Sequence, residues 1–410
     1  MSLSATSLLP SYAPSAVVPP YSPEPGNDER LLEQAPRVKP RVFSGNHTRK
    51  FGRDTVVLNA QDEHANVPTY GRSALIDGSV SLEDRESVSK VALEIKGAIE
   101  FRAAGSTVMQ TILAEHCIIW SMEHSEGAAC PSTVPFATLL PAQFEYNKTM
   151  YPLPSSYFVS YASSNGVYIK IAYSLAITVS RARGRKLAFL SPKNTMSILF
   201  TYSPRTRPGR PIAPLVNDFL ADLKIMPEEF HALTLTVHPR PKVLLQPVDV
   251  QLFTPSADVF PLSEPIPIHI QLIGPLASLR EFLPRADGAL PARSCVVVRL
   301  VRQNTMLVDG HKESCQATLG TASLVPMPPT LSAQDAWDRD GVTASLDWAG
   351  ELRCDDAGLS VEVGSFDAGL VAVQDFIVLD ILEPAGPKSQ FASVRRPRPI
   401  RLVTDPWPDA

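Results

Sequence analysis

The sequence predicts an all-β protein with two tandem immunoglobulin-like β-sandwich domains behind a disordered, proline-rich N-terminal arm. Many short runs alternate apolar and polar residues with the period of a strand, and Gly, Pro, Asn or Asp bounds each run. Helical periodicity is almost absent, which favours antiparallel sandwiches. The length of 410 residues exceeds what one hydrophobic core usually serves, so two folded units are expected.

The arm is predicted over residues 1–50. It holds eight prolines among scattered Ser, Glu and Arg and shows no apolar periodicity. Such a segment cannot bury enough surface to offset the entropy that is lost on ordering.

Two proline–tyrosine strings in the arm, LPSY and VPPYSP, have a sequence that suits the aromatic grooves of WW domains. Their prolines pre-set an extended polyproline II backbone, which loses little entropy on docking. A proline-rich arm also produces such strings by chance, since LPSY is a weaker variant of the PPxY signature and PPY lacks the spacer residue. The WW-ligand candidates are Leu9, Pro10, Tyr12, Pro19, Pro20 and Tyr21.

The first sandwich is predicted over residues 51–205. In 90–102 the apolar residues fall on one face and Lys, Glu and Arg fall on the other, and in 166–181 every second residue is apolar. VPTY at 67–70 and LPSSY at 153–157 are interpreted as strand starts rather than as WW ligands. The remaining strands of this unit are predicted at 54–60, 73–82, 106–120 and 196–202.

The proline-rich stretch 203–214 separates the two units, and a hinge with one short helix is predicted over 206–227. Residues 214–224 carry apolar side chains at helical spacing. The second sandwich is predicted over 228–404, with surface loops at 276–293 and 325–342 and a tail at 405–410. Its strands are predicted at 231–238, 264–273, 294–303, 371–382 and 398–404. The prolines in the basic run RRPRPIR at 395–401 favour an edge strand there or the chain's exit.

Composition favours a cytoplasmic protein. The formal net charge of −4 creates no global field for nucleic acid, and aromatic residues that would stack on bases do not accompany the basic runs. The five cysteines are odd in number and form no CxxC pair, which is typical of free thiols in a reducing compartment. Neither a secretory signal nor a membrane-spanning apolar run is recognisable.

No catalytic or metal-binding pattern is present, so neither an enzyme nor a cofactor is predicted. A nucleophile elbow, a phosphate-binding glycine loop, HExxH and paired CxxC motifs are all missing. His116 and Cys117 are adjacent, but neighbours along a strand point to opposite faces. We therefore interpret this pair as structural.

A run of basic residues without any acidic residue spans 181–210. It could bind an anionic lipid headgroup or an acidic or phosphorylated cargo tail through charge-assisted hydrogen bonds. The alternative is a solvated hairpin tip followed by a basic hinge. The basic residues are Arg181, Arg183, Arg185, Lys186, Lys193, Arg205, Arg207 and Arg210.

The stretch 67–120 resembles the opening sandwich of fungal arrestin-like proteins of the alpha-arrestin family. The resemblance rests on VPTYGRSALIDGSVSL, RESVSKVALEIKGAIEF and GSTVMQTILAEHCIIW in succession, followed by the long GVYIKIAYSLAITVSR strand and the SPRTRPGRP hinge. It covers about 50–240, and beyond that only the strand rhythm is similar.

The resemblance implies a non-enzymatic adaptor, with two stacked sandwiches, that binds cytoplasmic parts of membrane proteins. Relatives recruit HECT-type ubiquitin ligases through PPxY motifs and so direct their cargo to endocytosis, which places the protein in the cytoplasm or peripherally at the plasma membrane or endosome. Such motifs often lie in a long tail after the second sandwich, which leaves the N-terminal strings for that role here. The alternative is an arrestin-fold scaffold without a ubiquitin-ligase link, like retromer-type relatives.

Overall fold

The fold, taken from a computed structural model, is nearly all β. The structure describes residues 44–62, 65–125, 128–161, 166–181, 193–213, 215, 219–283, 295–327, 343–354, 362–383 and 389–407. The predicted disordered arm lies outside these residues except for its last few positions.

The first sandwich consists of two sheets and a small hairpin. One sheet has the strand order β1-β2-β4-β7, and the other has the order β3-β12-β11-β5-β6, with β10 also paired to β11. β8 and β9 form the separate hairpin. The strands are β1 (Gly45–Phe51), β2 (Asp54–Gln61), β3 (Thr69–Tyr70), β4 (Leu75–Ser81), β5 (Val88–Ala103), β6 (Ser106–Ser121), β7 (Thr133–Leu139), β8 (Gln143–Tyr146), β9 (Thr149–Pro152), β10 (Tyr157–Tyr161), β11 (Val167–Arg181) and β12 (Lys193–Tyr202).

The second sandwich repeats this two-layer plan. Its sheets have the orders β13-β14-β16-β20-β19 and β15-β23-β22-β17-β18, with β21 paired to β22. The strands are β13 (Phe230–Val237), β14 (Val248–Pro255), β15 (Val259–Pro261), β16 (Ile266–Pro275), β17 (Val296–Val308), β18 (His311–Thr321), β19 (Ser323–Met327), β20 (Thr343–Leu352), β21 (Phe366–Asp367), β22 (Val371–Ile381) and β23 (Val394–Val403).

Each sandwich buries the apolar faces that the period-two pattern predicts. In the first, Val56 and Ile76 of one sheet belong to the same buried cluster as Ile95 and Ile177 of the other. The second sandwich has an equivalent cluster built from β14 and β16 on one side and β17 and β22 on the other. Burial of this apolar surface, at roughly 25 cal/mol per Å², is the main force that holds the layers together.

Tight hairpins connect the longest strands. Ala104 and Gly105, between β5 and β6, both have positive φ, as do Asp309 and Gly310 between β17 and β18. Two successive left-handed residues form the turn that matches the twist of paired strands, and glycine adopts this conformation without a steric cost.

The predicted helix and loops are partly corrected. The helix predicted at 214–224 is observed as α1 (Phe219–Ile225), displaced toward the C-terminal end of that range. The loop predicted from 276 begins with α2 (Leu276–Leu279) and a 3-10 turn, Arg280–Phe282, that bury Leu279 and Phe282. The loop predicted from 325 begins inside β19, which pairs with β20.

The predicted end of the arm at residue 50 is wrong. Strand β1 begins at Gly45 and pairs along its length with β2. Its sequence, GNHTRKF, lacks alternation because the strand lies at a sheet edge with both faces largely exposed, so backbone pairing rather than burial determines it. The strand starts predicted at 67–70 and 153–157 are confirmed by β3 and β10.

The two sandwiches share part of one core. Met306 and Val308 of β17, together with Ala368, Leu370 and Val371, join the buried cluster of the first sandwich. Gly369 lies between Ala368 and Leu370 in the chain, and its φ is +74°. A Cβ atom at this position would be 2.9 Å from the ring of Tyr151 and 3.0 Å from that of Tyr146. The junction is therefore packed too tightly for any larger side chain at this position.

In the described part of the chain, no helix is both long and apolar enough to cross a membrane.

Candidate functional site

The predicted WW-ligand residues lie outside the described part of the chain. So do Arg183, Arg185 and Lys186 of the basic run. The remaining basic residues are described and can be assessed by their partners.

Three of these basic residues bind carboxylates within the protein. Arg181 donates through Nη2 to both carboxylate oxygens of Asp54, at 3.2 and 3.0 Å, and Asp54 is only 2% exposed. This pair ties the end of β11 to the turn between β1 and β2. Arg205 forms a two-pronged contact with Asp405, at 2.9 Å from Nε and 2.6 Å from Nη2, and that contact raises the pKa of the guanidinium.

Arg210 also has partners, because it donates to Glu229 at 3.2 Å and to Ser256 at 2.6 Å. Among the described residues of the basic run, Arg207 and Lys193 are exposed and have no carboxylate partner. The described part of the basic run therefore has fewer unpaired basic side chains than its sequence suggests.

The second structural feature is the edge strand β6. It has sixteen residues, and among the described strands it pairs with β5 alone. Five successive residues, 114–118, are exposed, including Ile118 at 46%. An exposed edge presents a row of unpaired N–H and C=O groups that can template another strand.

Charged residues and prolines protect one of the other edges, whereas β6 carries two β-bulges, at Ile112 and Ile119, and pairs regularly with β5 over 113–118 between them. Strand β23 pairs with β22 over 394–400 and with β15 over 401–403, so within the described residues only 394–400 form the open edge that the prolines of RRPRPIR favour. Its open part carries three arginines and two prolines, whereas β6 has no Lys, Arg or Pro and one Glu. Natural edges are usually blocked by such residues, so the open edge of β6 is the strongest candidate for a peptide-binding surface.

His116 and Cys117 lie within this edge. The Cys117 side chain is exposed, but partial burial of its thiol raises the pKa and the nearby Glu115 carboxylate raises it further, which favours the neutral thiol. Among the described residues, no group of three or more His, Cys, Asp or Glu side chains could hold a metal ion.

The third feature is a buried ion pair near the junction. Arg302 donates to Asp375 through Nε at 2.8 Å and Nη2 at 3.0 Å, and Ser365 adds a hydrogen bond to the same carboxylate at 2.7 Å. The two charged side chains are 4% and 0% exposed. Burial opposes the charged form of Arg302, but the contacts with Asp375 outweigh it and raise the pKa of the guanidinium.

One amide connects this region to the first sandwich. The Tyr157 hydroxyl donates to Oδ1 of Asn304 at 3.2 Å, while Nδ2 of Asn304 donates to the Tyr161 hydroxyl. Burial raises the pKa of Tyr161 to about 12, although the Asn304 hydrogen bond opposes the shift. These residues were not predicted from the sequence. The signal that could have revealed them is the presence of two polar side chains, Arg302 and Asn304, within the largely apolar strand β17.

The site and the fold together define a two-sandwich protein with an open edge strand and a polar junction. No family model matches the chain, and no curated protein matches it either.

Proposed function

We propose that this protein is a non-enzymatic, arrestin-like adaptor. It binds extended segments in the cytoplasmic parts of membrane proteins and links them to ubiquitin-dependent endocytosis or trafficking. The observation that supports binding is the open edge of β6, and the sequence resemblance supports the biological role.

Strand addition provides the binding mechanism. An extended peptide that pairs with β6 gains main-chain hydrogen bonds worth roughly 0.5–1.5 kcal/mol each, while alternate side chains contact the two faces. On the outer face these contacts include Ala114 and His116, which lie beside Lys96 and Glu94 of β5. A peptide with apolar and charged residues in alternation would complement this surface.

The test uses overlapping 15-residue peptides from cytoplasmic tails of plasma-membrane transporters, arrayed and probed with the full chain. Ala114→Lys places a charged side chain on the edge. Ser174→Lys is the matched control, because it lies in the same cross-strand row and on the same sheet face but on the interior strand β11. We expect Ala114→Lys to weaken binding at least about tenfold, equivalent to ~1.4 kcal/mol, and the control to retain it.

An array without any bound peptide would contradict the proposal. Equal losses in both variants would also contradict it, since the binding surface would then be the sheet face rather than the edge.

The link to a ubiquitin ligase is tested separately on the arm. A fluorescent peptide spanning Ser7 to Gly26 is titrated against isolated WW domains of HECT ligases, with Tyr12→Ala and Tyr21→Ala as controls. We expect micromolar binding that is lost in one of the two variants. Absence of binding would support the second candidate function, an arrestin-fold scaffold that recruits partners through its sandwiches alone.

The proposal includes a secondary contact with anionic membrane through the unpaired basic residues. The double variant Arg207→Glu with Lys193→Glu should reduce co-sedimentation with phosphatidylserine vesicles. Unchanged co-sedimentation would remove lipid from the list of partners. Arg205 and Arg210 are unsuitable for this test because their substitution would break ion pairs within the protein.

A further inference from the structure

A cavity of about 660 Å³ lies between the two sandwiches, beside the hinge. The first sandwich contributes the segment 151–155, the hinge contributes 204–206, and the second sandwich contributes 364–367, 373–376 and 399–401. The volume falls within the roughly 300–1,000 Å³ that is typical of small-molecule sites.

Most of the wall is apolar. Leu153 and Pro154 face the cavity from the first sandwich, and Phe366, Val373 and Ile400 face it from the second. Such a surface would bind a hydrocarbon or aromatic body, since each buried CH₂ group contributes about 0.8 kcal/mol.

One of the two acidic groups in the lining is already paired, because Asp375 binds Arg302 and also accepts a hydrogen bond from the Ser365 hydroxyl. Asp367 is exposed and accepts the backbone N–H of Gly369 at 2.8 Å, which leaves its negative charge uncompensated in the described part of the chain. This single carboxylate is outnumbered by the arginines of the lining that form no ion pair within the described ranges.

Three polar groups in the lining are available as hydrogen-bond donors. Tyr202 is 1% exposed and lines the cavity, yet its hydroxyl has no hydrogen-bond partner among the residues that the structure describes. Arg72 and Arg401 also line the cavity, and within the described ranges neither forms an ion pair. Tyr202 pairs with Tyr70 in the β12–β3 ladder, two residues before Arg72, so the two groups lie close together in the lining. Burial raises the pKa of Tyr202, and the positive charge of Arg72 opposes this shift.

We infer that this cavity binds a long-chain carboxylic acid. The hydrocarbon chain packs against the apolar walls, and the carboxylate accepts hydrogen bonds from the Arg72 guanidinium and the Tyr202 hydroxyl. Arg401 supplies further positive charge. A carboxylate fits because it is an acceptor only, whereas Arg72, Tyr202 and Arg401 can all donate. The site is separate from the open edge of β6, so the inference does not depend on the proposed function.

The test is a fluorescence titration of the full chain with cis-parinaric acid, below its critical micelle concentration. Arg72→Gln and Tyr202→Phe each remove one contact to the carboxylate. Arg102→Gln, an exposed arginine on β5 outside the cavity, is the matched control. We expect saturable binding that weakens about tenfold in Arg72→Gln, weakens several-fold in Tyr202→Phe and does not change in the control.

A second arm replaces the acid with its methyl ester, which keeps the hydrocarbon and removes the charge. We expect the parent protein to bind the ester about tenfold more weakly than the acid, and Arg72→Gln to reduce this difference to a few-fold, because Tyr202 and Arg401 remain. Equal binding of acid and ester by the parent, or no saturable binding at all, would overturn the inference. Ala142→Phe, which places a ring in the cavity wall, should abolish binding of both ligands, and retained binding would show that the acid binds elsewhere.

Discussion

Arg302 is a charged residue within an apolar stretch of sequence, but its role is evident only in the fold. It is 3% exposed in a strand whose other buried residues are mainly apolar, and only the fold brings Asp375 opposite to it. A buried ion pair repays the cost of desolvation only when its geometry is good, and removal of one partner leaves a buried charge without compensation.

Arg302→Gln should therefore lower the free energy of unfolding by about 3–5 kcal/mol. The control is Arg240→Gln, because Arg240 pairs with Glu383 at the surface and such pairs contribute about 0–1 kcal/mol. Urea unfolding followed by circular dichroism measures both. If Arg302→Gln lowered the free energy of unfolding by less than about 1 kcal/mol, the prediction would be wrong, because the Asp375 charge would then not need Arg302 for compensation.

Asp347 makes stability depend on acid pH. Burial alone would raise its pKa, but hydrogen bonds from His269 at 3.1 Å, Ser345 at 2.8 Å and Gln271 at 2.9 Å outweigh burial and lower the pKa. A carboxyl with a lowered pKa in the folded state stabilises the protein above its unfolded pKa of about 3.9, and this stabilisation is lost as pH falls through the folded value.

Asp347→Asn should flatten the acid side of the stability profile. We expect the melting temperature of the parent to fall more steeply than that of the variant between about pH 4 and pH 2. Scanning calorimetry at several pH values measures the difference, and parallel curves would show that Asp347 does not contribute to the acid dependence.

At the scale of elements, the edge strand β6 was predicted from its sequence, whereas the edge strands β1 and β18 and the interior strands β14 and β20 were missed. β5 and β11 alternate cleanly because each presents one face to the core. β1 and β18 are mostly exposed on both faces, so their sequences lack the alternation and were missed. The edge position of β6 could not be predicted either. Alternation indicates that a strand has a buried face, but it does not indicate which strands pair with it.

Pro397 is predicted to keep β23 from pairing with another chain. Proline has no N–H, so Pro397→Val would add a donor to the edge and remove the block. We expect Pro397→Val to self-associate, as measured by size-exclusion chromatography with light scattering at rising concentration. Arg396→Val is the control, because it adds exposed apolar area without adding a backbone donor. If both variants associate to the same extent, the added hydrophobic surface rather than the new N–H causes the association.

At the scale of the whole molecule, the junction couples the two sandwiches. The loop around Gly369 packs into the first core, and Asn304 bonds to two tyrosines across the junction. We therefore expect the parent protein to unfold in a single calorimetric transition.

Gly369→Ala should split this transition into two. A left-handed non-glycine residue costs about 1–2 kcal/mol, and the new methyl group would also collide with Tyr146 and Tyr151. Gly310→Ala is the matched control, since Gly310 has a similar φ of +82° but no neighbour within 4 Å of the added atom. If Gly369→Ala instead unfolds in one transition, its melting temperature lowered no more than that of Gly310→Ala, the result would show that the junction does not couple the two sandwiches.

Local sequence was sufficient to predict the all-β class and most strands with a buried face, because the period-two alternation of apolar and polar residues is visible over a few neighbouring positions. The open edge of β6, the partners of the basic run and the junction cavity were decided only by the tertiary structure. These features join distant positions, as in Tyr157 and Asn304, which are 147 residues apart. A single sequence records which side chains are present, but the packing of the sheets determines which of them meet.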